Sequence, residues 1–161
     1  MFSFTNYRIP VSETDLMGIV HHSYYNRYFE RGRIEFLRLI GIRYRALVDE
    51  GIHFPVLKTE CVYRRPLKFD DTIVIETRIS FLSKTRLCFS YRIVKVEEVR
   101  PDMFSNTPAE SIELSTLGAS EHCAIAPDGK PQRIPDKLLK TLSKYYMVDG
   151  ANGDDQIKKR N

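Results

Sequence analysis

Hydrophobic residues recur along this chain with two periods, first that of a helix and then that of a strand. Residues 4–11 alternate loosely and predict a first strand. The polar stretch Ser12-Glu13-Thr14-Asp15-Leu16-Met17-Gly18 reads as a turn, followed by Ile19-Val20-His21-His22-Ser23. From about residue 24 to 40 the pattern is helical. Tyr25, Tyr28, Phe29, Gly32, Phe36, Leu39 and Ile40 fall on one stripe roughly 100° wide, with Arg27, Glu30, Arg31 and Arg38 opposite. Ser23 is the expected N-cap and Gly41 the expected stop. A glycine inside a helix costs about 1 kcal/mol against alanine, so Gly32 in the middle of the stripe predicts a close approach to a sheet. Ile34 and Leu37 lie off the stripe and predict a second buried contact.

A short second helix is expected over residues 44–50, ending at Gly51, and beyond it the period drops to two. Residues 54–64 read as a strand closed by Pro66, with a turn at Asp70-Asp71. Ile73, Ile75, Ile79 and Phe81 then share one strand face. After the tight turn Ser83-Lys84-Thr85-Arg86, Leu87, Phe89, Tyr91 and Ile93 continue on the next strand, which is hairpin patterning. Residues 97–109 hold two prolines and predict a loop. A last strand is expected over 110–126, with a phase shift near Leu117-Gly118 that suggests a bulge. Pro127-Asp128-Gly129-Lys130 is a turn, residues 136–145 look helical, and 146–161 have the composition of a disordered tail. With no repeat and no linker, this predicts one α+β domain over 1–145, a long helix covering one face of a curved, mostly antiparallel sheet of about five strands.

Composition adds exclusions. The 161 residues suffice for one domain with a sizeable core. No apolar run approaches the ~18–20 residues of a membrane span, so no membrane insertion is expected. Residues 1–7 lack the basic-then-apolar pattern of a secretory signal, which predicts a cytoplasmic protein. Cys61, Cys88 and Cys123 are odd in number and far apart, and His21, His22, His53 and His122 make no spaced ligand set with them. Free thiols in a reducing compartment and no metal are expected. The net charge of +4 suits a polyanionic ligand, whether nucleic acid, acidic lipid or a nucleotide-bearing group such as coenzyme A. The basic residues are dispersed and no nucleic-acid-binding signature is present, so no nucleic-acid partner is expected.

Arg8-Ile9, four residues, Thr14-Asp15-Leu16-Met17-Gly18-Ile19-Val20 and then Tyr24 together resemble the signature of the 4-hydroxybenzoyl-CoA thioesterase family, which has the hotdog fold. Residues 26–33 (NRYFERGR), Tyr63-Arg64-Arg65-Pro66-Leu67 with Asp70-Asp71, and Pro127-Asp128-Gly129-Lys130-Pro131 with Arg133-Ile134-Pro135 match in the same order, so the resemblance spans residues 7–142. The 97–109 loop, longer than the family's usual hairpin there, and the C-terminal tail depart from it. The resemblance implies hydrolysis of an acyl-CoA thioester, with coenzyme A as part of the substrate and no separate cofactor. It makes Asp15 the catalytic carboxylate and sets His22 beside the thioester carbonyl. It also implies basic side chains at Lys84 and Arg86 that meet the coenzyme A phosphates, and a homodimer or homotetramer with sites between subunits.

A lone aspartate in a turn is by itself most often a turn or cap residue; the signature is what singles out Asp15 as nucleophile or general base. The N–H groups that open the helix near His22 and Ser23 are suited to hold a developing oxyanion. Tyr25 and Tyr28 belong to the core stripe, Tyr25 close enough to line the site. Arg64 and Arg65 are secondary candidates for phosphate contacts. His21 is expected to be structural or solvent-facing, His53 and His122 to be packed. Two other readings use the same residues. One is an acyl-CoA-binding or partner-binding hotdog protein without catalysis. The other is an enoyl-thioester hydratase or dehydratase, a branch that pairs Asp and His five apart, whereas His21 and His22 here stand six and seven residues after Asp15.

Overall fold

The computed structural model describes residues 1–96 and 113–146. Along the chain run β1 (Ser3–Arg8), α1 (Tyr24–Leu39), α2 (Tyr44–Asp49), β2 (Val56–Tyr63), β3 (Thr72–Leu82), β4 (Arg86–Val96), β5 (Glu113–Cys123) and α3 (Asp136–Ser143). The strands form one antiparallel sheet in the order β1-β3-β4-β5-β2. β1 and β2 therefore lie on opposite edges although only helices and turns separate them in sequence. This is the expected α+β architecture, a sheet with one long helix against it.

The helix sits where it does because of its apolar side. Tyr25, Tyr28, Phe29 and Phe36 are buried there, and Gly32 lies among them. Burying such side chains contributes about 1.5–3 kcal/mol each. Two glycines set the separation. A β-carbon on Gly32 would fall 2.8 Å from Cγ2 of Ile75 and closer still to the Thr77 hydroxyl, so the helix backbone rests directly on β3. On β5, a β-carbon on Gly118 would fall 2.6 Å from Cε1 of Phe29. The Phe29 ring fills that space instead and stacks on Tyr91, centroids 4.6 Å apart.

Several expectations are corrected. Leu39 is 41% exposed, while Leu37, off the predicted stripe, is only 2% exposed. The chain turns back after α1, Ile42 N donating to Leu37 O, and brings Ile42 and Leu47 into the core beside it. Leu37 is thus covered within the subunit. Ser23 is not a side-chain N-cap: its backbone is already helical and its hydroxyl lies 2.9 Å from His21 Nδ1. β1 stops at Arg8, and after Pro10 a single 3-10 turn, Val11–Glu13, replaces the strand's expected end. Register shifts fall at Leu57, Ser80 and Ser115, each the extra residue of a bulge. The bulge on β5 is therefore at Ser115 rather than at Leu117-Gly118, whose pairing with Val62 and Cys61 is regular. Tyr146, placed at the start of a tail, is half-buried and packs on the core. The loop expected over 97–109 and residues 147–161 of the expected tail lie outside the described residues.

His122 is fully buried. Its Nδ1 faces Phe54 O at 3.3 Å and so carries the proton, and Nε2 accepts from the Ser120 hydroxyl at 2.8 Å. Burial, then the Arg33 charge, push its pKa down to about 4.

Two outcomes are expected. Gly32→Ala should lower stability by about 1–2 kcal/mol, because overpacking outweighs the gain in helix propensity; urea unfolding checks this, and an equal or higher midpoint refutes it. For His122, the unfolded chain takes up its proton near pH 6.5 and the folded one only near 4. Stability is therefore lost as pH falls through that window. His122→Gln should flatten this acid loss; identical pH slopes in variant and wild type would refute it.

Candidate active site

Asp15 opens a four-residue turn that doubles back on itself. Thr14 and Val20 form a bridge, Asp15 N donates to Ile19 O at 2.9 Å, and Gly18 N donates to Asp15 O at 2.9 Å. Gly18 closes the turn at φ 71°, a conformation that favours glycine. Within it Met17 N donates to Asp15 Oδ1 at 2.8 Å. One carboxylate oxygen is thus held by the backbone, and Oδ2 has no hydrogen-bond partner among the described residues. The turn is tied to the β2–β3 connection by Val20 N donating to Leu67 O at 2.8 Å.

From Val20 the chain runs into α1. Tyr24 N and Tyr25 N donate to His21 O and His22 O. The His22 N–H has no backbone acceptor among the described residues. The exposed His22 ring lies against the His21 ring, centroids 4.1 Å apart. Tyr63, at the end of β2, packs edge-on against buried Tyr25 at 4.9 Å, and its hydroxyl points at His22 O from 3.5 Å. Burial is the main reason that the Tyr25 phenol is raised.

These groups surround a cleft of about 330 Å³ lined by Asp15, Met17, Ile19, Val20, His22, Tyr25, Tyr63, Arg64, Arg65 and Pro66. The fold thus brings Asp15, His22 and Tyr25 together as expected. Ser23 is next to them in sequence, but its hydroxyl is turned to His21 and it does not line the cleft. Lys84 and Arg86 stand at the far end of the sheet. Tyr63 aligns through Thr116 with Ile93, and Arg86 is seven residues further along β4, roughly 23 Å away at ~3.3 Å per residue. Arg86 is ion-paired with Glu121. The cations at the cleft are instead Arg64 and Arg65, the latter 2.6 Å from Glu113. Tyr63 was missed by sequence reasoning, which treated it as one more strand residue of a matched motif; its place shows only when β2 is set beside α1.

A larger groove, about 750 Å³, lies between β1 and the outer side of α1. Its charged side chains are Arg31, Arg38 and Glu35, and Arg38 and Glu35 pair with each other. Unlike the smaller cleft, it holds no histidine and no unpaired carboxylate among the described residues. Among the described residues no cluster of metal-ligating side chains occurs, and no helix is long and apolar enough to cross a membrane.

Comparison with known proteins places the chain in a family. Residues 9–142 match the sequence profile of the thioesterase-like superfamily. The chain is 37% identical over 132 residues to the Escherichia coli acyl-CoA thioester hydrolase YbgC, a match covering 82% of this chain and 89% of that one. The DHNA-CoA thioesterase of Staphylococcus aureus superimposes with a TM-score of 0.77 at 25% identity, over 89% of each chain. A 4-hydroxybenzoyl-CoA thioesterase solved with 4-hydroxybenzoyl-CoA superimposes at 0.73, covering 88% of this chain and 98% of that one; at 16% identity this likeness speaks for the fold alone. With a hotdog sheet-and-helix architecture and a family match over most of its length, the chain belongs to the thioesterase-like superfamily.

Proposed function

We propose that this protein hydrolyses acyl-CoA thioesters in the cleft at the start of α1, with Asp15 as the catalytic carboxylate. The observation that carries this reading is the Asp15 side chain itself. One of its oxygens is anchored by the Met17 N–H, and the residue lines a cleft together with His22 and Tyr25 at the start of α1. A thioester carbonyl lodged between them would turn its oxygen toward the His22 N–H. There the partial positive charge of the helix start stabilises an oxyanion. Asp15 Oδ2 then attacks the carbonyl carbon to form an acyl-enzyme, or takes a proton from a water that attacks instead. In either route the tetrahedral intermediate collapses with loss of the coenzyme A thiolate, which takes up a proton; in the base route this releases the acid directly, and in the nucleophilic route water then hydrolyses the Asp15 acyl anhydride to release the acid and restore the carboxylate. His22, through its ring or its backbone, orients the carbonyl. Tyr25 and Tyr63 form the apolar wall beside the reacting carbon.

The full site is proposed to need two subunits. β2 is an edge strand, and Val56, Leu57, Val62 and Tyr63 on it are exposed large side chains. An unpaired, apolar edge of this kind favours pairing with another strand. Antiparallel pairing of β2 with a second copy reverses the partner's direction, so the partner's β3–β4 turn lies at the Asp15 end. Lys84 and Arg86, out of reach of Asp15 in their own subunit, are then placed to meet the coenzyme A phosphates of the neighbouring site.

Asp15→Asn is expected to lower kcat by on the order of 10²–10⁴-fold with an unchanged circular dichroism spectrum; wild-type turnover would overturn the assignment. Lys84→Ala and Arg86→Ala should each raise KM for an acyl-CoA roughly two- to five-fold. They should leave the turnover of an acyl-N-acetylcysteamine thioester, which lacks the phosphates, unaltered. A monomer in equilibrium sedimentation, or equal effects on both substrates, would remove the shared site.

A further inference from the structure

Glu13 stands two residues before Asp15, at the end of the 3-10 turn, half-buried and without a cationic partner among the described residues. Both of its carboxylate oxygens are occupied. Tyr7 on β1 donates to Oε1 at 2.6 Å, and Tyr28 on α1 donates to Oε2 at 2.5 Å. Hydrogen bonds from a hydroxyl to a carboxylate are short and about twice as strong as neutral ones. The Glu13 carbonyl accepts from His21 N at 2.9 Å, linking the chain ahead of Asp15 to the segment that carries His22. One residue earlier, Ser12 O accepts from the Tyr24 hydroxyl at 3.1 Å. The Arg31 guanidinium lies over the Tyr7 ring, 4.3 Å from its centroid.

The two phenols remain donors over any working pH. Burial, then Glu13, push Tyr7 up to about 12, and the same causes in the same order raise Tyr28 further. A partly buried carboxylate without a cation carries a desolvation cost. A turn that had only to be packed would do as well with apolar side chains. What the carboxylate adds is direction: it holds the turn from the strand and from the helix at once.

We propose that Glu13 is a positioning residue for the thioester hydrolysis assigned above, and this proposal rests on that reading. Its carboxylate, braced by Tyr7 and Tyr28, fixes Asp15 relative to the His22 N–H. The two groups that act on the carbonyl are thus held at one separation before substrate binds. Glu13 touches no substrate atom; it acts through the turn.

The test is steady-state kinetics of Glu13→Gln, Tyr28→Phe and the double variant beside wild type and Asp15→Asn, on the acyl-CoA that wild type turns over fastest. Misplacement by about 1 Å costs on the order of 10²-fold. Glu13→Gln is accordingly expected to lower kcat roughly 10- to 100-fold, with KM changed less than about two-fold. Adding Tyr28→Phe to Glu13→Gln should alter kcat by less than about a factor of two, because residues of one network are not additive. A folded Glu13→Gln with wild-type kcat, beside an inactive Asp15→Asn, overturns the positioning role alone. So does an effect confined to KM, or full additivity of the two substitutions. Wild type without turnover across aromatic, short and long acyl-CoAs overturns the thioesterase reading and this proposal together. Should Glu13→Gln melt below the assay temperature, Tyr7→Phe and Tyr28→Phe carry the same comparison.

Discussion

Helix α1 lies on the sheet at a distance set by two missing β-carbons. At Gly32 the helix backbone meets Ile75 and Thr77, and at Gly118 the sheet backbone makes room for the Phe29 ring. Everything at the N-terminal end of the helix inherits that placement. Were the helix lifted by a methyl group, Tyr25 and Tyr28 would lose their seats. The segment carrying Asp15 would then lose the Tyr28 hydrogen bond to Glu13 that ties it to the helix. The helix thus does two jobs with one geometry: its middle closes the core, and its start carries His22 and Tyr25 into the cleft, with the His22 N–H left without a backbone acceptor among the described residues.

The cleft is built on few contacts of high leverage. The Asp15 turn is closed by its own backbone and anchored to the β2–β3 connection through Val20 and Leu67. Tyr24, Tyr28 and Tyr63 reach it with hydroxyls while their rings pack on the core or on each other. Aromatic residues with a polar tip suit this border, since the ring stabilises by burial and the hydroxyl orients a loop. Further from the site, the sheet's solvent-side charges form ordinary exposed pairs such as Arg8 with Asp70, which contribute at most about 1 kcal/mol each. The exception is Glu76, buried beside Arg92 and with its carboxyl raised by that burial.

Where sequence reasoning succeeded and failed follows the range of the interactions involved. The limits of α1 and the strands came within a few residues, since each depends on local periodicity. Gly32 was legible because a glycine inside an apolar stripe is anomalous on local grounds. Leu37 and Leu39 were misassigned because the path after the helix, through Ile42 and Leu47, decides which side is covered. Asp15 and His22 could be named because a linear motif holds both. Tyr63 and Glu13 could not, since their roles arise from partners 41 and 15 residues away. That Lys84 and Arg86 lie at the far end of the sheet from Asp15 within one subunit could not be read from sequence, because strand order and direction decide which end a turn occupies.

The sequence alone therefore determined the elements and the superfamily signature, and it singled out Asp15 as the carboxylate on which the proposed chemistry rests. All of these are encoded in local pattern or contiguous motif. The tertiary structure decided what surrounds that carboxylate: which of its oxygens is free, which tyrosines brace its turn, and that the basic β3–β4 turn is too distant to serve it within one subunit. Those properties depend on strand order and on packing distance, and neither is written in any short stretch of chain. A sheet ordered β1-β3-β4-β5-β2 puts sequence neighbours on opposite edges, and only the folded chain returns the end of β2 to the start of α1.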